Sequence, residues 1–216
     1  MHESFFIRHG RSILNETGVH QRRETPLSLQ GRKQAEAIAE RLVGIDAALV
    51  LSSNLVRAAE TAMAIGGRIN KRVIYTDLLS EWKKPSGIAG MRYGERKDEE
   101  IWNKRIENIN NKKWHYSDEE NVFDLKKRVI KLCIYLDAIH NKNKPILIVT
   151  HGSIIEMMVA LAAIGSGLTG RRYIDFRHIF SADKNTGITE IEIKNGLPIK
   201  VLTFNGIAHM KKRWIE

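Results

Sequence analysis

Two runs of consecutive apolar residues, many of them β-branched, most constrain how this chain can fold. They are Ala47-Ala48-Leu49-Val50-Leu51 and Ile146-Leu147-Ile148-Val149, and polar or turn-forming residues bound each run. Continuous apolar segments of this length are typical of strands that are buried on both faces, as in a parallel sheet. Residues 5–7 and 73–75 are weaker strand candidates. The sequence therefore predicts a central sheet that is mostly parallel.

Segments with helical periodicity lie between these strands. Their apolar side chains fall on one stripe, and they cover residues 29–43, 55–65, 121–139 and 153–164. Residues 188–193 instead alternate apolar with polar side chains, which indicates a half-exposed edge strand. The alternation of strands and helices predicts an α/β fold, a three-layer sandwich with helices on both faces of the sheet. The length suits a single domain over residues 1–216.

Residues 83–120 interrupt this alternation. They are rich in Lys, Asn, Glu and Trp, and their clearest regular pattern is a helix over residues 96–109 with a poor apolar face. Long insertions in compact domains are often lids or binding elements. We predict an inserted lid over one end of the sheet, in which Arg92, Arg96 and Lys97 bind a negative group of the substrate. The alternative is that these three cations form only a solvated face.

The residues with the most informative chemistry follow the predicted strands. They are Arg8-His9-Gly10 after the first strand, Ser52-Ser53 and then Arg57 after the second, Glu81 after residues 73–75, and Thr150-His151-Gly152 after the last apolar run. In open α/β sheets, ligands bind outside the carboxyl ends of the strands. Two histidines, two arginines and one carboxylate are therefore expected at a single edge of the sheet.

This set of side chains suits the transfer of a phosphoryl group. Guanidinium groups grip phosphate oxygens, a neutral imidazole can attack phosphorus, and a second, protonated imidazole can hold the equatorial oxygens. A carboxylic acid can protonate the leaving oxygen and then activate water. The sequence contains no His-x-x-x-His or further metal-ligand spacing, so we predict neither a metal nor another cofactor. Taken singly, either histidine could instead be a core residue, and Glu81 a surface carboxylate.

A longer series of motifs spans nearly the whole chain in a fixed order. It comprises Arg8-His9-Gly10 with Asn15, Pro26-Leu27-Ser28 followed by Gly31 and Gln34-Ala35, the segment Ser52-Ser53-Asn54-Leu55-Val56-Arg57-Ala58-Ala59-Glu60-Thr61-Ala62, Leu79 with Glu81, Thr150-His151-Gly152, and Asn205 with His209. This series resembles the histidine phosphatase superfamily, which includes the cofactor-dependent phosphoglycerate mutases.

The resemblance implies a role for each member of the pocket. His9 would be the phosphorylated nucleophile, with Arg8, Arg57 and His151 completing the phosphate pocket. Glu81 would be the proton donor. Asn15 would touch the phosphate or the substrate, although an asparagine at this position could also be a simple turn residue.

The chain also departs from the pattern of its relatives. Arg11 stands where many relatives carry Glu, Arg22 where Gly is usual, and Lys83-Lys84-Pro85-Ser86 where a small, Gly-containing stretch is common. The mutase-like Arg-His-Tyr-Gly segment after the acid is absent. The resemblance therefore favours a metal-independent phosphomonoester hydrolase of the histidine acid type over a phosphoglycerate-type mutase.

The charge of the chain bears on its partners. Lys and Arg number 35 and Asp and Glu 25, which gives a net charge of +10. Such a charge concentrates anions near the surface. The predicted partners are phosphorylated small molecules or phosphopeptides, with nucleic acid a less favoured choice. A polyanion-binding module without turnover is the non-enzymatic alternative, and both a monomer and a homodimer are compatible with the sequence.

The cysteine content and the apolar runs bear on the compartment. The one cysteine, Cys133, lies on an apolar helix stripe and is predicted to be a buried structural thiol rather than a nucleophile. No apolar run reaches the roughly 18 residues that a membrane helix needs. The N-terminal residues lack the pattern of a signal peptide. We therefore predict a cytoplasmic protein that does not enter a membrane.

Overall fold

The computed structural model describes residues 2–140 and 144–210. The strands are β1 (His2–Arg8), β2 (Leu49–Ser52), β3 (Val73–Tyr75), β4 (Ile146–Thr150), β5 (Ile188–Lys194) and β6 (Leu197–Gly206). The helices are α1 (Ile13–Thr17), α2 (Leu29–Arg41), α3 (Val56–Arg68), α4 (Arg96–Glu107), α5 (Val122–Ile139), α6 (Gly152–Ile164) and α7 (Gly170–Ile179). None of the helices in this described part is both long and apolar enough to cross a membrane.

The strands form one sheet in the order β3-β2-β4-β1-β5-β6. The first four strands of this order are parallel to one another, whereas β5 runs antiparallel to β1, and β6 antiparallel to β5. The carboxyl ends of β1, β2 and β4 consequently meet at one edge of the sheet. The predicted α/β fold with a mostly parallel sheet is confirmed.

Alternate residues of the central strands enter two separate hydrophobic cores. Ile146 and Ile148 of β4 pack with apolar side chains of α5, α6 and α7. Leu147 and Val149 point the other way and pack with α2 and α3. Because both faces of β4 are covered, its sequence is apolar at every position rather than at every second one. Helices therefore lie on both faces of the sheet, as predicted.

The prediction that residues 188–193 form an edge strand is wrong. β5 pairs with β1 on one side and with β6 on the other, so β6 is the strand at this edge. The alternation in β5 arises because Ile191 and Ile193 face a core, whereas Glu190 and Glu192 lie on the less covered face. Alternation reports how the two faces are covered and does not report the position of a strand within its sheet.

Residues 83–120 leave the sheet and return to nearly the same point. The backbone N–H of Glu120 donates to the carbonyl oxygen of Lys83 at 3.1 Å, and the Lys83 N–H donates to the Glu120 carboxylate at 3.0 Å. Arg128 of α5 holds this junction, because its Nε and Nη2 atoms donate to the two carboxylate oxygens of Glu120 at 2.7 and 2.6 Å. Ile88 and Ile101 of the excursion are buried. Its contact with the rest of the chain is thus more apolar than its composition suggested.

A glycine allows close packing next to the first strand. A Cβ atom on Gly31, in the first turn of α2, would lie 1.9 Å from the carbonyl oxygen of Arg11. Only a residue without a side chain permits this approach. The approach fixes α2 against the loop that follows β1, and thereby helps to hold the residues at the carboxyl end of that strand.

Candidate active site

His9 lies directly after β1 and is 1% exposed. Its Nδ1 atom lies 2.7 Å from the carbonyl oxygen of Gly10, which can only accept, so Nδ1 carries the proton. The Nε2 atom accepts a hydrogen bond from Nε of Arg57 at 3.3 Å. Burial, together with the charges of Arg57 and Arg8, lowers the pKa of His9 well below its ordinary value. His9 is therefore a neutral imidazole with its lone pair on Nε2.

Two arginines lie beside this imidazole. Arg57 is in the first turn of α3 and also donates to the carbonyl oxygen of Arg22 at 3.1 Å. Burial lowers its pKa to about 10, so it remains charged at neutral pH. Arg8 donates through Nη1 to the carbonyl oxygens of Ala182 and Asp183. Its Nε atom is buried without a hydrogen-bond partner among the described residues, which leaves a donor for an anion.

His151 follows β4 and packs against His9, with ring centroids 5.0 Å apart. The hydroxyl of Ser53 accepts from the N–H of Leu55 at 3.2 Å and lies 2.9 Å from Nε2 of His151. When the Ser53 hydroxyl donates to Nε2, the proton of the neutral His151 ring is on Nδ1. This Nδ1–H group is buried and unpaired within the described part of the chain. Burial and the charge of Arg57 lower the pKa of His151, so this imidazole is neutral in the free protein.

Asn15 lines the same cavity as His9 and Arg57. Its side-chain oxygen accepts from the N–H and from the hydroxyl of Ser12 at 3.1 and 3.0 Å, which forms the capping box of α1. The side-chain NH2 group is the part that can reach a ligand. The structure thus shows the local structural role of Asn15 and its place at the cavity, and its contact with phosphate or substrate stays a prediction.

Glu81 also lines the cavity, and the N–H of Trp82 donates to its carboxylate at 2.7 Å. Its negative charge raises the pKa values of Arg8, Arg57 and Lys84, against the lowering that burial causes. Arg128 donates to the carbonyl oxygens of three residues in this loop, Leu78, Ser80 and Glu81. The junction that closes the excursion therefore also fixes the loop that carries Glu81.

The cavity has a volume of about 1000 Å³, and the excursion forms one of its walls. Along α4, four residues face it at helical spacing: Asp98, Ile101, Trp102 and Arg105. Arg92, Arg96 and Lys97, which were predicted to bind substrate, are not among the lining residues. Arg96 is 93% exposed in its side chain and pairs with Glu100 on the outer surface. Arg92 precedes α4, and Arg96 and Lys97 lie in its first turn, so the excursion lines the cavity with residues other than the three that were predicted.

Lys84 is the cation that the sequence reasoning missed. Its ammonium lies inside the cavity, 3.1 Å from Nδ1 of His20, and 4.8 Å from the centre of the Tyr93 ring. Nε2 of His20 lies 2.8 Å from the carboxylate of Asp98. Because the carboxylate accepts, His20 donates to Asp98 and accepts from Lys84. The signal in the sequence was a lysine three residues after the predicted acid, Glu81.

Lys84 differs from the other cations of the cavity in what it contacts. Arg177 donates to the carboxylate of Glu156 at 2.6 Å and lies over the Trp82 ring. Arg105 also lies over the Trp82 ring. The hydrogen-bond partner of the Lys84 ammonium among the described residues is a neutral imidazole, and the carboxylates of Glu81 and Asp98 act on its charge from further away. Desolvation by the surrounding protein lowers the pKa of Lys84 to about 8. Two of its three N–H groups point to no protein acceptor that is described.

These features define an α/β protein with an anion pocket built around a neutral histidine. A sequence profile of the histidine phosphatase superfamily (branch 1) matches residues 4–205. The chain therefore belongs to the histidine phosphatase superfamily. This confirms the resemblance seen in the sequence motifs.

Individual relatives agree with this membership. A "Probable phosphatase" of Schizosaccharomyces pombe is 28% identical over 210 residues, which cover 96% of this chain and 94% of the relative. A mutant phosphoserine phosphatase of Entamoeba histolytica, solved with phosphoserine, is 25% identical with a TM-score of 0.76, over 98% of this chain and 100% of that one. A mycobacterial glucosyl-3-phosphoglycerate phosphatase in complex with VO3 shares the fold, with 23% identity and a TM-score of 0.76 over 96% and 100% of the two chains. The family and these names support phosphatase activity.

Proposed function

We propose that this chain is a metal-independent phosphomonoester hydrolase that carries the phosphoryl group on His9. The observation that carries the proposal is the state of His9, a neutral imidazole whose Nε2 atom accepts from Arg57 and whose pKa is lowered by burial and by the charges of Arg57 and Arg8. Such a nitrogen is a nucleophile for phosphorus, and the arginines are the complementary charges for the phosphate oxygens.

The first half of the reaction forms the phosphohistidine. The phosphate enters with its oxygens on Arg8 and Arg57. His151 packs behind His9 and does not line the cavity, so its Nδ1–H group donates to a third oxygen only once the phosphate has moved in against the two rings. The Nε2 atom of His9 forms a bond to phosphorus as the ester P–O bond breaks. Glu81, in its acid form, gives its proton to the departing alkoxide. The arrival of the anion favours a proton on His151, because a negative charge stabilises the imidazolium.

The second half of the reaction releases phosphate. Glu81, now a carboxylate, takes a proton from a water molecule whose oxygen attacks phosphorus. The N–P bond breaks, the electron pair returns to Nε2, and inorganic phosphate leaves. His9 is neutral again, so the cycle balances in protons and charge without a metal.

The reaction class has a direct test. We expect p-nitrophenyl phosphate to be hydrolysed at the same rate with and without EDTA, because the pocket supplies its positive charge from arginines. Vanadate, which mimics five-coordinate phosphorus, should inhibit. Activity that appears only after a divalent metal is added would contradict the proposed mechanism.

Lys84 supports a narrower substrate class, a phosphate ester that carries a second anionic group such as a carboxylate. The cavity is large for a bare phosphate, and its volume of about 1000 Å³ leaves room between the His9 pocket and Lys84 for a small organic body. Lys84 is hydrogen-bonded to His20, and His20 to Asp98. These two bonds hold the Lys84 ammonium in place and do not neutralise its charge. A carboxylate or a second phosphate can use the two remaining N–H groups.

We expect Lys84→Gln to lower kcat/KM about tenfold or more for 3-phosphoglycerate, because a charge-assisted hydrogen bond is lost. Glycerol 3-phosphate, which has a hydroxymethyl group in place of the carboxylate, should be affected much less. The control is Lys83→Gln: Lys83 also lines the cavity, but its ammonium is already paired with Asp118, so its loss should not distinguish the two substrates. Equal losses on both substrates, or equal effects of both variants, would contradict this role.

The same preference should depend on pH. The pKa of Lys84 is lowered to about 8, so the ammonium loses its proton as the pH rises through that value. The charges of Glu81 and Asp98 raise this pKa, and those of Arg177 and Arg105 lower it. The advantage of 3-phosphoglycerate over glycerol 3-phosphate should therefore fade above about pH 8 in the wild type. In Lys84→Gln the ratio of the two kcat/KM values should stay flat across that range.

The compartment and the partners remain predictions. Cys133 is a buried thiol, and burial raises its pKa to about 12, so it is unsuited to disulfide exchange or nucleophilic attack. The cytoplasmic location stays the prediction made from the sequence. Phosphorylated small molecules fit the cavity as substrates, and phosphopeptides, nucleic acid and a homodimer are partners for separate binding assays.

A further inference from the structure

A cluster of metal-binding side chains lies at the edge of the sheet opposite the phosphate pocket. His2 is the first residue of β1, Asp137 is in the last turn of α5, and His140 directly follows that helix. One ligand atom from each of the three lies within 4.8 Å of the others. β1 has seven residues, so about 20 Å separate this cluster from His9 at the other end of the strand.

Each side chain of this cluster has its second polar atom held by a neighbour. Nδ1 of His2 lies 3.3 Å from the Ser4 hydroxyl, and Nδ1 of His140 donates to the carbonyl oxygen of Asp137 at 2.9 Å. The other carboxylate oxygen of Asp137 accepts from the N–H of Gly196 in the turn between β5 and β6. Outer partners of this kind fix metal-ligating rings in proteins. The His2 and His140 rings are stacked, with centroids 4.3 Å apart and an angle of 15° between their planes, so one ring must rotate before both free nitrogens face the same ion.

The Nε2 atom of His2 gives a second, separate indication that this cluster binds a ligand. The His2 side chain is only 4% exposed, and Nε2 has no hydrogen-bond partner within residues 2–140 and 144–210. It lies 3.3 Å from Oδ1 of Asp137, but the geometry is not that of a hydrogen bond. An unpaired, buried polar atom is costly unless something else satisfies it. A cation between Nε2 and Oδ1 would satisfy both atoms.

We propose that His2, Asp137 and His140 bind a divalent transition-metal ion, with Zn²⁺ as the best match. Two imidazole nitrogens and one carboxylate oxygen form a donor set that Zn²⁺ takes at about 2.0–2.2 Å, with water in the fourth position. No metal-ligand spacing in the sequence marks this site, because His2 is far along the chain from Asp137-x-x-His140. The ion joins β1, α5 and the β5–β6 turn, so its effect is on stability rather than on the reaction.

Metal-free protein, prepared with EDTA and dialysed, can be titrated with ZnCl2 by isothermal calorimetry. We expect one equivalent to bind to the wild type, and the melting temperature to rise as it binds. His140→Ala should weaken binding by at least about 10–100-fold. Asp137→Asn should weaken it as well, while keeping an oxygen that accepts from Gly196.

The control is His115→Ala, which removes a histidine from a different histidine–aspartate pair, His115 and Asp124, whose atoms lie 2.6 Å apart on the exposed surface. This variant should bind Zn²⁺ as the wild type does. Circular dichroism in EDTA would show that each variant is folded. Co²⁺ in place of Zn²⁺ should show the visible absorption of a tetrahedral site in the wild type and lose it in His140→Ala. If the wild type binds Zn²⁺ no more tightly than His140→Ala does, the proposed site is wrong.

Discussion

Replacing His9 with alanine is expected to lower kcat for p-nitrophenyl phosphate by about 10⁴-fold or more, because the atom that accepts the phosphoryl group is removed. The fold should survive, since His9 lies at the end of β1 and its loop is held by backbone bonds, including His9 N–H to the carbonyl oxygen of Thr150 at 3.0 Å. The measurement is the steady-state rate, with circular dichroism and the melting temperature as checks on folding. His178→Ala, at an exposed histidine far along the chain on α7, is the matched control.

The covalent intermediate gives a second measurement on the same variant. Brief mixing of the wild type with a ³²P-labelled substrate, quenched at alkaline pH to preserve a phosphoramidate bond, should leave label on the protein. His9→Ala should leave none, and peptide mapping should place the label on His9. Retained turnover in His9→Ala, or label on another residue, would refute the mechanism.

Replacing Glu81 with glutamine should separate substrates by their leaving groups. An alkoxide must be protonated as it departs, whereas p-nitrophenolate leaves readily without help. General acid catalysis typically contributes about 10²–10⁴-fold. We therefore expect a loss of this size for an alkyl phosphate such as 3-phosphoglycerate, and a much smaller loss for formation of the phosphoenzyme from p-nitrophenyl phosphate. Pre-steady-state release of p-nitrophenol measures that first step separately from hydrolysis of the intermediate.

The outcome for Glu81 has a defined alternative. If alkyl and aryl phosphates slow equally in the first step, the acid lies elsewhere. Glu24 is then the next residue to test, because it lines the cavity. Glu95, a further acidic residue of the excursion, is not among the lining residues, and its carboxylate accepts from the N–H of Arg92 at 2.9 Å. Glu95→Gln is therefore a suitable control in the same assay.

Much of the fold could be predicted because its central strands are apolar throughout. The run at residues 146–149 has this composition for a physical reason, since α2 and α3 cover one face and α5 and α6 the other. β6 and α7 were not predicted. β6 contains Pro198 and several exposed residues, and α7 is rich in Arg, with Arg177 made compatible with its surroundings by Glu156 on α6. The Arg177–Glu156 ion pair joins two helices that are apart in the sequence, so local sequence patterns do not predict it.

The same distinction applies to the cavity. The residues at strand ends could be predicted because the topology of an α/β sheet brings those ends together, and the structure places Arg8, His9, Arg57 and Glu81 around one cavity with His151 behind His9. Lys84 could not be assigned, because its role depends on His20 and Asp98, which come from different loops and helices. Arg96 was predicted to bind substrate because the sequence shows its charge. The sequence did not show which face of the helix points to the cavity.

The buried cations around His9 have a consequence for the stability of the protein itself. Arg8 and Arg57 lie close together, and the surrounding protein removes part of the hydration of each guanidinium group. This desolvation lowers the pKa of both arginines. Phosphate, vanadate or substrate brings negative charge to these two cations, so binding should stabilise the fold by mass action, by about 2.7 kcal/mol at a concentration 100 times the Kd. Selection for thermal stability alone would favour replacing these arginines. Keeping them is therefore a compromise between stability and catalytic turnover.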